Sequence, residues 1–197
     1  MILLVLSAML RLLTMNQKNK QQLLNLAKKA ITSSLFGQKL NIGHLPPELT
    51  LSQASFVTLT KAGELRGCIG HLLPIQPLYL DVIENARAAA FDDFRFPPLA
   101  PSELPQIEIE ISILDLPQKF FYSSPQELIA FLSQHHPGVI IKKAFHQATF
   151  LPQVWEELKN PADFMNQLCQ KAGLPATEWR KMSEVEIYHV SSFSTFI

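Results

Sequence analysis

The feature that most constrains the fold is a run of alternating residues near the middle of the chain. Between residues 107 and 113 every second position is isoleucine, and Glu108, Glu110 and Ser112 lie between them. Successive side chains of a β-strand point to opposite faces, so this spacing predicts a strand with one apolar and one polar face. We expect the isoleucines to face a core and the glutamates to face water or a polar pocket.

A β-hairpin is predicted before this strand. Residues 54–60 are rich in β-forming side chains and residues 61–64 supply a turn, so residues 65–70 are expected on the returning strand of the hairpin or at its exit. Further strands are predicted at 139–141 and 147–151, as a second hairpin, and at 185–190.

Four helices are predicted from capping signals and from apolar residues at helical spacing. The first follows the capping-box pair Thr14 and Gln17 and extends to residue 35. The others span 78–92, 124–136 and 160–173, and a proline-rich crossing lies at 97–105. Hairpins mixed with irregularly spaced helices indicate an α+β fold with a largely antiparallel sheet flanked by helices.

The composition of the 197-residue chain argues against several classes of protein. Lys+Arg and Asp+Glu are both 17, so the formal net charge is +0, without the basic surplus typical of nucleic-acid binding. Two cysteines do not make a disulfide framework, and we expect free thiols in a reducing, cytoplasmic compartment. No Cys-x-x-Cys motif, glycine-rich nucleotide loop or serine-hydrolase motif occurs. We therefore predict no metal, no cofactor and no nucleic-acid partner.

The first thirteen residues are apolar except for Ser7 and Arg11. They are too short to span a bilayer, which needs about 20 apolar residues, and they lack a convincing basic start and cleavage site for secretion. We interpret residues 1–14 as an apolar extension, from a misassigned start before Met15 or as a short arm, with a signal peptide as the alternative. The folded domain is expected at residues 15–197, without a membrane span.

The strongest candidate for chemistry is the hexapeptide Leu-Arg-Gly-Cys-Ile-Gly at residues 65–70. Gly67 and Gly70 remove side-chain bulk beside Cys68 and permit backbone angles that other residues avoid. In a regular strand Arg66 would share a face with Cys68, where its guanidinium would favour the reactive thiolate. The alternative is that Cys68 is a small buried residue, as free cysteine commonly is.

Other polar residues are candidates for a pocket around this thiol. Asp93 and Arg95 lie two positions apart after a helix, and arginine suits a carboxylate or phosphate, although a helix-terminal ion pair is the alternative. Glu110 is the more central strand glutamate and a candidate general acid or base, whereas exposed strand glutamates are commoner than catalytic ones. His71 would lie on the strand face opposite the thiol.

The second half of the chain adds two further candidates. His146 and Thr149 flank the second predicted hairpin and are candidates for the same pocket. Cys169 falls on an apolar helical face, so we interpret it as a core residue.

Taken in order, these motifs resemble those of the AMMECR-one domain family, whose bacterial members are called AmmeMemoRadiSam system protein A. The hexapeptide is the family's hallmark, and agreement extends to residues 93–98, 107–114, 148–155 and 164–174. The resemblance covers residues 17–193, and residues 1–14 match nothing in the family. Phe94 stands where the family often has proline, and Ala144 stands where glycine is common.

The resemblance implies an α+β fold in which a larger antiparallel sheet with helices is joined to a smaller subdomain. It also implies that the protein acts with a Memo-like protein and a radical S-adenosylmethionine protein. It does not supply a settled reaction, because a family identifies a scaffold and the function must be argued from the site.

Two hypotheses follow. In the enzymatic one, Cys68 is a nucleophile or covalent acceptor in a modification pathway shared with those partners. In the other, the protein is a non-catalytic module that presents a pocket or surface to a partner protein, a peptide or a small molecule. The predicted catalytic residues are Cys68, Arg66 and Glu110, and the predicted binding residues are Gly67, Gly70, His71, Asp93, Arg95, His146 and Thr149.

Overall fold

The computed structural model describes residues 15–197, so the predictions for residues 1–14, including the capping role of Thr14, lie outside the described residues. The described chain divides into two compact units. The first consists of residues 15–115 with Ser191–Ile197, and the second consists of Leu116–Val190. Each has its own hydrophobic cluster. The predicted α+β class with a smaller second subdomain is confirmed.

The described residues form four α-helices and eight β-strands. In chain order these are α1 (Gln17–Leu35), β1 (Ala54–Lys61), β2 (Glu64–Gly70), α2 (Leu78–Phe91), β3 (Ile107–Leu114), β4 (Gln118–Phe121), α3 (Pro125–His135), β5 (Gly138–Lys143), β6 (His146–Phe150), α4 (Pro161–Lys171), β7 (Glu184–Tyr188) and β8 (Val190–Phe196). Short 3₁₀ helices lie at Pro47–Thr50, Pro101–Gln106, Pro152–Glu156 and Glu178–Lys181. Within residues 15–197, no helix combines the length and the apolar character that a membrane-spanning segment requires.

The sheet of the first unit has the strand order β2-β1-β3-β8. β1 pairs antiparallel with both β2 and β3. The alternation in β3 has the predicted outcome, since Ile107, Ile109 and Ile111 are fully buried while Glu108 and Glu110 are half-buried on the other face. α1 and α2 pack against the isoleucine face. The opposite face of this sheet is polar.

α1 and α2 form because apolar residues recur at every third or fourth position. α1 begins after Asn16, whose side chain accepts a hydrogen bond from the Asn19 N–H at 2.8 Å. The buried stripes are Leu23, Ala27, Ala30 and Ile31 in α1 and Leu78, Val82, Ala86 and Ala90 in α2. Burying one leucine side chain contributes about 2 kcal/mol, so packing of these stripes stabilises the helices more than propensity does.

The sheet of the second unit has the strand order β4-β7-β5-β6. α3 and α4 begin after Ser124 and Asn160, the first residues of the predicted helical ranges, whose side chains accept backbone hydrogen bonds from the first helical turn. In the core of this unit the Trp155 ring stacks on Phe164 with 3.8 Å between the ring centroids. The second predicted hairpin is β5 and β6.

Two strands differ from the sequence prediction. β4 was not expected, because its four residues lie at a sheet edge and show no clear alternation. The single strand predicted at 185–190 is two strands, since β7 ends at Tyr188 and β8 begins at Val190. β8 belongs to the first sheet, beside β3. Its serines and threonine suit an edge strand and give only a weak apolar pattern.

Candidate functional site

The hexapeptide lies in β2, the returning strand of the predicted hairpin, and β2 is an edge strand of the first sheet. Cys68 is half-buried and lies opposite Thr58 of β1, whose hydroxyl donates a hydrogen bond to Sγ at 3.2 Å. Thr58 in turn lies opposite Glu110 of β3. A thiol, a hydroxyl and a carboxylate therefore form one row across three strands on the polar face, and we name it the Cys68 row.

Arg66 does not occupy the regular position that the sequence suggested. Thr60 of β1 pairs with Leu65, but the preceding residue, Leu59, pairs with Gly67, so one residue of β2 is skipped. Arg66 is thus the extra residue of a β-bulge, which breaks the alternation on which the expected shared face with Cys68 rested.

The Arg66 guanidinium instead binds Glu103 and the turn before β3. Nε donates to Oε1 at 3.1 Å, and Nη2 donates to Oε2 at 3.0 Å and to the Pro97 carbonyl at 2.9 Å. Hydrogen bonding from Arg66, first among several causes, lowers the pKa of Glu103 to about 2. These bonds direct the Arg66 guanidinium towards Glu103 and Pro97, and a catalytic role for Arg66 remains a prediction.

Asp93 and Arg95 lie against the open edge of β2. Asp93 Oδ2 accepts the Cys68 N–H at 2.9 Å, and Arg95 Nη2 donates to the Cys68 carbonyl at 3.2 Å. These are the two hydrogen bonds that a neighbouring strand would make, so the pair satisfies the strand edge at Cys68. The predicted ion pair is present, and the pair also fixes the backbone that bears the thiol.

Asp93 and Arg95 form an ion pair with two parallel hydrogen bonds. Arg95 Nε donates to Asp93 Oδ1 at 2.9 Å and Nη2 donates to Oδ2 at 2.6 Å. These bonds hold the pKa of Asp93 well below its usual range although burial opposes the shift, and they raise the pKa of Arg95. Cys68 makes a smaller contribution to the raised pKa of Arg95. The Arg95 side chain is 43% exposed, so it is the accessible cation next to Cys68.

The two glycines of the hexapeptide permit close packing. A Cβ on Gly67 would overlap the Ala89 carbonyl oxygen of α2, and a Cβ on Gly70 would overlap the Phe56 ring. Neither glycine has the left-handed φ that the sequence interpretation allowed for. Their role is therefore to let a helix and an aromatic ring approach β2, and this role does not itself expose the sulfur.

Space for a ligand lies beside the Cys68 row. An open depression of about 370 Å³ is lined by Thr60, Ala62, Gly63, Gln106, Glu108 and Phe196. Thr60 and Glu108 are two residues along their strands from Thr58 and Glu110, so the depression adjoins the row on the same polar face. Its volume is in the range of small-molecule sites.

His71 follows β2 and continues the register of Ile69, on the face that the helices cover. Its Nδ1 lies 2.7 Å from Oδ1 of Asp81 in the first turn of α2. Sequence analysis did not single out Asp81. The available signal was a polar pair, Asp81 and Asn85, four residues apart on the buried face of a helix.

His146 and Thr149 belong to the second unit and hydrogen-bond within it. His146 Nδ1 lies 2.8 Å from the Ala172 carbonyl after α4. The Thr149 hydroxyl donates to the Val139 carbonyl at 2.9 Å and lies 2.9 Å from the Tyr188 hydroxyl. These contacts support the local fold, so a binding role for either residue remains a prediction.

Cys169 is fully buried, as predicted, and burial raises the pKa of its thiol. Residues 15–197 contain no group of three or more histidine, cysteine, aspartate or glutamate side chains placed to hold a metal ion.

Comparison with known proteins places the chain among relatives of similar length. A protein of Methanosarcina acetivorans is 37% identical over 174 residues, which cover 85% of this chain and 87% of the relative. A protein of Methanopyrus kandleri is 39% identical over 176 residues, covering 84% and 82%. The crystal structure of an uncharacterised protein from Pyrococcus horikoshii superposes with a TM-score of 0.75 at 32% identity, covering 87% of this chain and 89% of that one. The AMMECR1 family model matches residues 24–193, and the chain therefore belongs to the AMMECR1 family.

Proposed function

We propose that the protein supplies a reactive thiol, Cys68, to a modification pathway in which it acts with a Memo-like protein and a radical S-adenosylmethionine protein. The observation that supports this most directly is the Thr58 hydroxyl, which donates to Sγ at 3.2 Å on an accessible polar face. The partners follow from family membership alone, and a cytoplasmic location follows from the two free cysteines.

The surroundings of Cys68 suit a nucleophile. The Thr58 hydroxyl donates a hydrogen bond to its sulfur, and the Arg95 guanidinium donates to its carbonyl at the open strand edge. Arg95 is thus the cation in contact with Cys68, the position that the sequence suggested for Arg66. Asp93 and Arg95 together fix the backbone of Cys68, so the sulfur is held in one position for attack.

Glu110 has the position of a proton-exchanging group in the same row. It is half-buried, and its Oε1 accepts a hydrogen bond from Ser112 at 3.3 Å. A molecule lying across β1 would contact Cys68 on one side and Glu110 on the other, with the rest of it in the adjoining depression. In this assignment Cys68 attacks, Asp93 and Arg95 hold its backbone in place, and Glu110 takes or gives a proton.

The test is the rate of alkylation by iodoacetamide in the native protein and in the chain unfolded by urea. If the fold activates the thiol, Cys68 reacts at least as fast in the native state as in the unfolded state, despite its partial burial. Cys169 is the internal control, because it is fully buried and should react only after unfolding. Cys68→Ser and Cys169→Ser assign the label. A native rate for Cys68 well below its unfolded rate would overturn the proposal.

A second candidate is the non-catalytic binding module. The observation that favours it is Phe94, which is 95% exposed between Asp93 and Arg95 and so presents an apolar ring beside the Cys68 row. Binding of the purified Memo-like protein to wild type, Phe94→Ser and Cys68→Ala would separate the two candidates. A module requires loss of binding in Phe94→Ser and full pathway output in cells that contain Cys68→Ala. Loss of output in folded Cys68→Ala and Cys68→Ser proteins supports the thiol.

A further inference from the structure

Asp81 is a fully buried carboxylate with an unusual number of donors. Its Oδ2 accepts hydrogen bonds from the Ser55 N–H at 2.8 Å, the Ser55 hydroxyl at 2.7 Å and the Asn85 amide at 2.9 Å. Its Oδ1 lies 2.7 Å from His71 Nδ1 and accepts a weaker bond from Gln76 at 3.3 Å. Burial of a carboxylate is costly unless such donors surround it, and the Ser55, Asn85 and Gln76 groups all donate to Asp81.

An ionised carboxylate can only accept hydrogen bonds. His71 Nδ1 must therefore bear the hydrogen that it shares with Asp81, and in the neutral ring Nε2 then bears the lone pair. The His71 side chain is 36% exposed, whereas Asp81 is inaccessible, so solvent reaches the imidazole and not the carboxylate. Asp81 thus sets both the tautomer and the orientation of an accessible base.

We propose that His71 is a general base of a second site and that Asp81 is its positioning residue. A hydroxyl or thiol of a bound molecule would give its proton to Nε2, so that the O–H or S–H bond breaks and the Nε2–H bond forms. The imidazolium produced in this step lies beside the Asp81 carboxylate, which stabilises its charge. The proton returns to the product or to water when the cycle ends.

The charges around His71 define the class of molecule. Gln76 bonds to Asp81 and also donates to the exposed Glu84 at 2.6 Å, so a second carboxylate lies on the same helix one turn further along. An anionic substrate would meet the exposed Glu84 carboxylate, and His71 is the one group in these contacts that could neutralise it. The site therefore suits a neutral or cationic hydroxyl or thiol compound.

A purely structural role for His71 is the competing explanation. Ser55 and Asn85 supply three donors to Oδ2 of Asp81, whereas Oδ1 has only His71 and the longer Gln76 bond, so His71 also serves as a structural donor. His71→Asn separates the two roles, because its amide can donate to Asp81 but offers no basic nitrogen. The site is also distinct from the Cys68 row, since His71 continues the opposite strand face.

The first experiment reads the tautomer in the wild-type protein by long-range proton–nitrogen NMR. At mildly alkaline pH we expect His71 to carry its hydrogen on Nδ1 and none on Nε2. A predominant Nε2–H tautomer would overturn the proposal. Diethyl pyrocarbonate then tests the reactivity of the imidazole, with exposed His44 as the control in the same protein. In the wild type, His71 should react faster than His44. In Asp81→Asn, which removes the orienting carboxylate, His71 should react about tenfold more slowly than it does in the wild type.

The second experiment tests proton transfer with water as the hydroxyl compound and p-nitrophenyl acetate as the ester. It uses a Cys68→Ser background, so that thiol attack on the ester makes no contribution and failure of the Cys68 proposal does not affect the result. We expect ester hydrolysis above the buffer rate with a normal solvent deuterium isotope effect, both lost in His71→Asn. Hydrolysis that is equal in the two proteins would overturn the proposal. The wild-type NMR and labelling results hold even if Asp81→Asn does not fold.

Discussion

Gly67 on β2 lies directly against the Ala89 carbonyl of α2, with no room for a single additional carbon atom. The helix and the strand therefore meet backbone to backbone at this point. Cys68 follows Gly67 immediately, so the position of the thiol depends on how closely α2 packs against β2. The sequence suggested that Gly67 gives access to the sulfur, whereas in the structure Gly67 sets the spacing between α2 and β2.

Gly67→Ala should destabilise the first unit because the new methyl group overlaps a backbone atom that cannot rotate away. Overpacking in a core costs about 1–3 kcal/mol, and we expect the upper end here. The measurement is the free energy of unfolding in urea. The control is the double variant that combines Gly67→Ala with Ala89→Gly. Ala89→Gly removes only a side chain and keeps the carbonyl oxygen, so it should not restore the lost stability. Full rescue would show that the clash is not with the carbonyl oxygen.

Thr58→Val should slow alkylation of Cys68 without unfolding the protein. The substitution keeps the shape of the side chain and removes the hydroxyl that bonds to Sγ. A hydrogen bond of about 1 kcal/mol corresponds to a rate change of about fivefold. Thr60→Val, on the same face of β1, is the matched control and should leave the rate unchanged. Equal rates in the two variants would remove Thr58 from the site.

Stability at acid pH should depend on Glu103. Its folded-state pKa is lowered from 4.5 to about 2, so the ionised group stabilises the fold above pH 4.5. This contribution is lost as the pH falls from about 4.5 towards about 2. Glu103→Gln leaves the buried Arg66 without its charged partner and should lower the free energy of unfolding by about 3 kcal/mol at neutral pH. The difference from the wild type should shrink as the pH falls from about 4.5 towards about 2. Urea unfolding at a series of pH values measures it, with exposed Glu64→Gln as the control. A difference that stays constant with pH would contradict this assignment.

Thr149→Val should destabilise the second unit by about 1 kcal/mol, because the hydroxyl links the Val139 carbonyl to the Tyr188 hydroxyl. A double-mutant cycle with Tyr188→Phe should show coupling between the two hydroxyls. Unchanged stability together with lost pathway output in cells would instead support the binding role predicted from the sequence.

Much of the scaffold follows from local pattern. The isoleucines of β3, the caps Ser124 and Asn160 and the turn between β1 and β2 all specify their elements, because burial and capping act within a few residues. β8 is different. Its place beside β3 depends on a chain segment more than seventy residues away, and pairing over that distance leaves no mark on its weak apolar pattern.

The sequence motifs indicated where the candidate site lies, but they did not show which contacts each residue makes there. The alternation rule placed Arg66 beside Cys68, and a single bulge removed it, because strand sequence does not show where an extra residue is inserted. Arg95 takes its place through contacts between separate segments. Asp81 was missed because an acidic residue in the first turn of a helix is common and shows its burial only in the folded chain.

The position of β8 has a consequence for how the chain is made. Ile107–Leu114 is synthesised more than seventy residues before its edge partner Val190–Phe196, so during translation the first sheet has an open edge while the whole second unit emerges. An unpaired edge of this kind is a template for wrong pairing with other chains. A premature stop between the two would leave that edge permanently uncovered, so truncated products of this protein should aggregate even though nearly all of the hydrophobic core of the first unit is present.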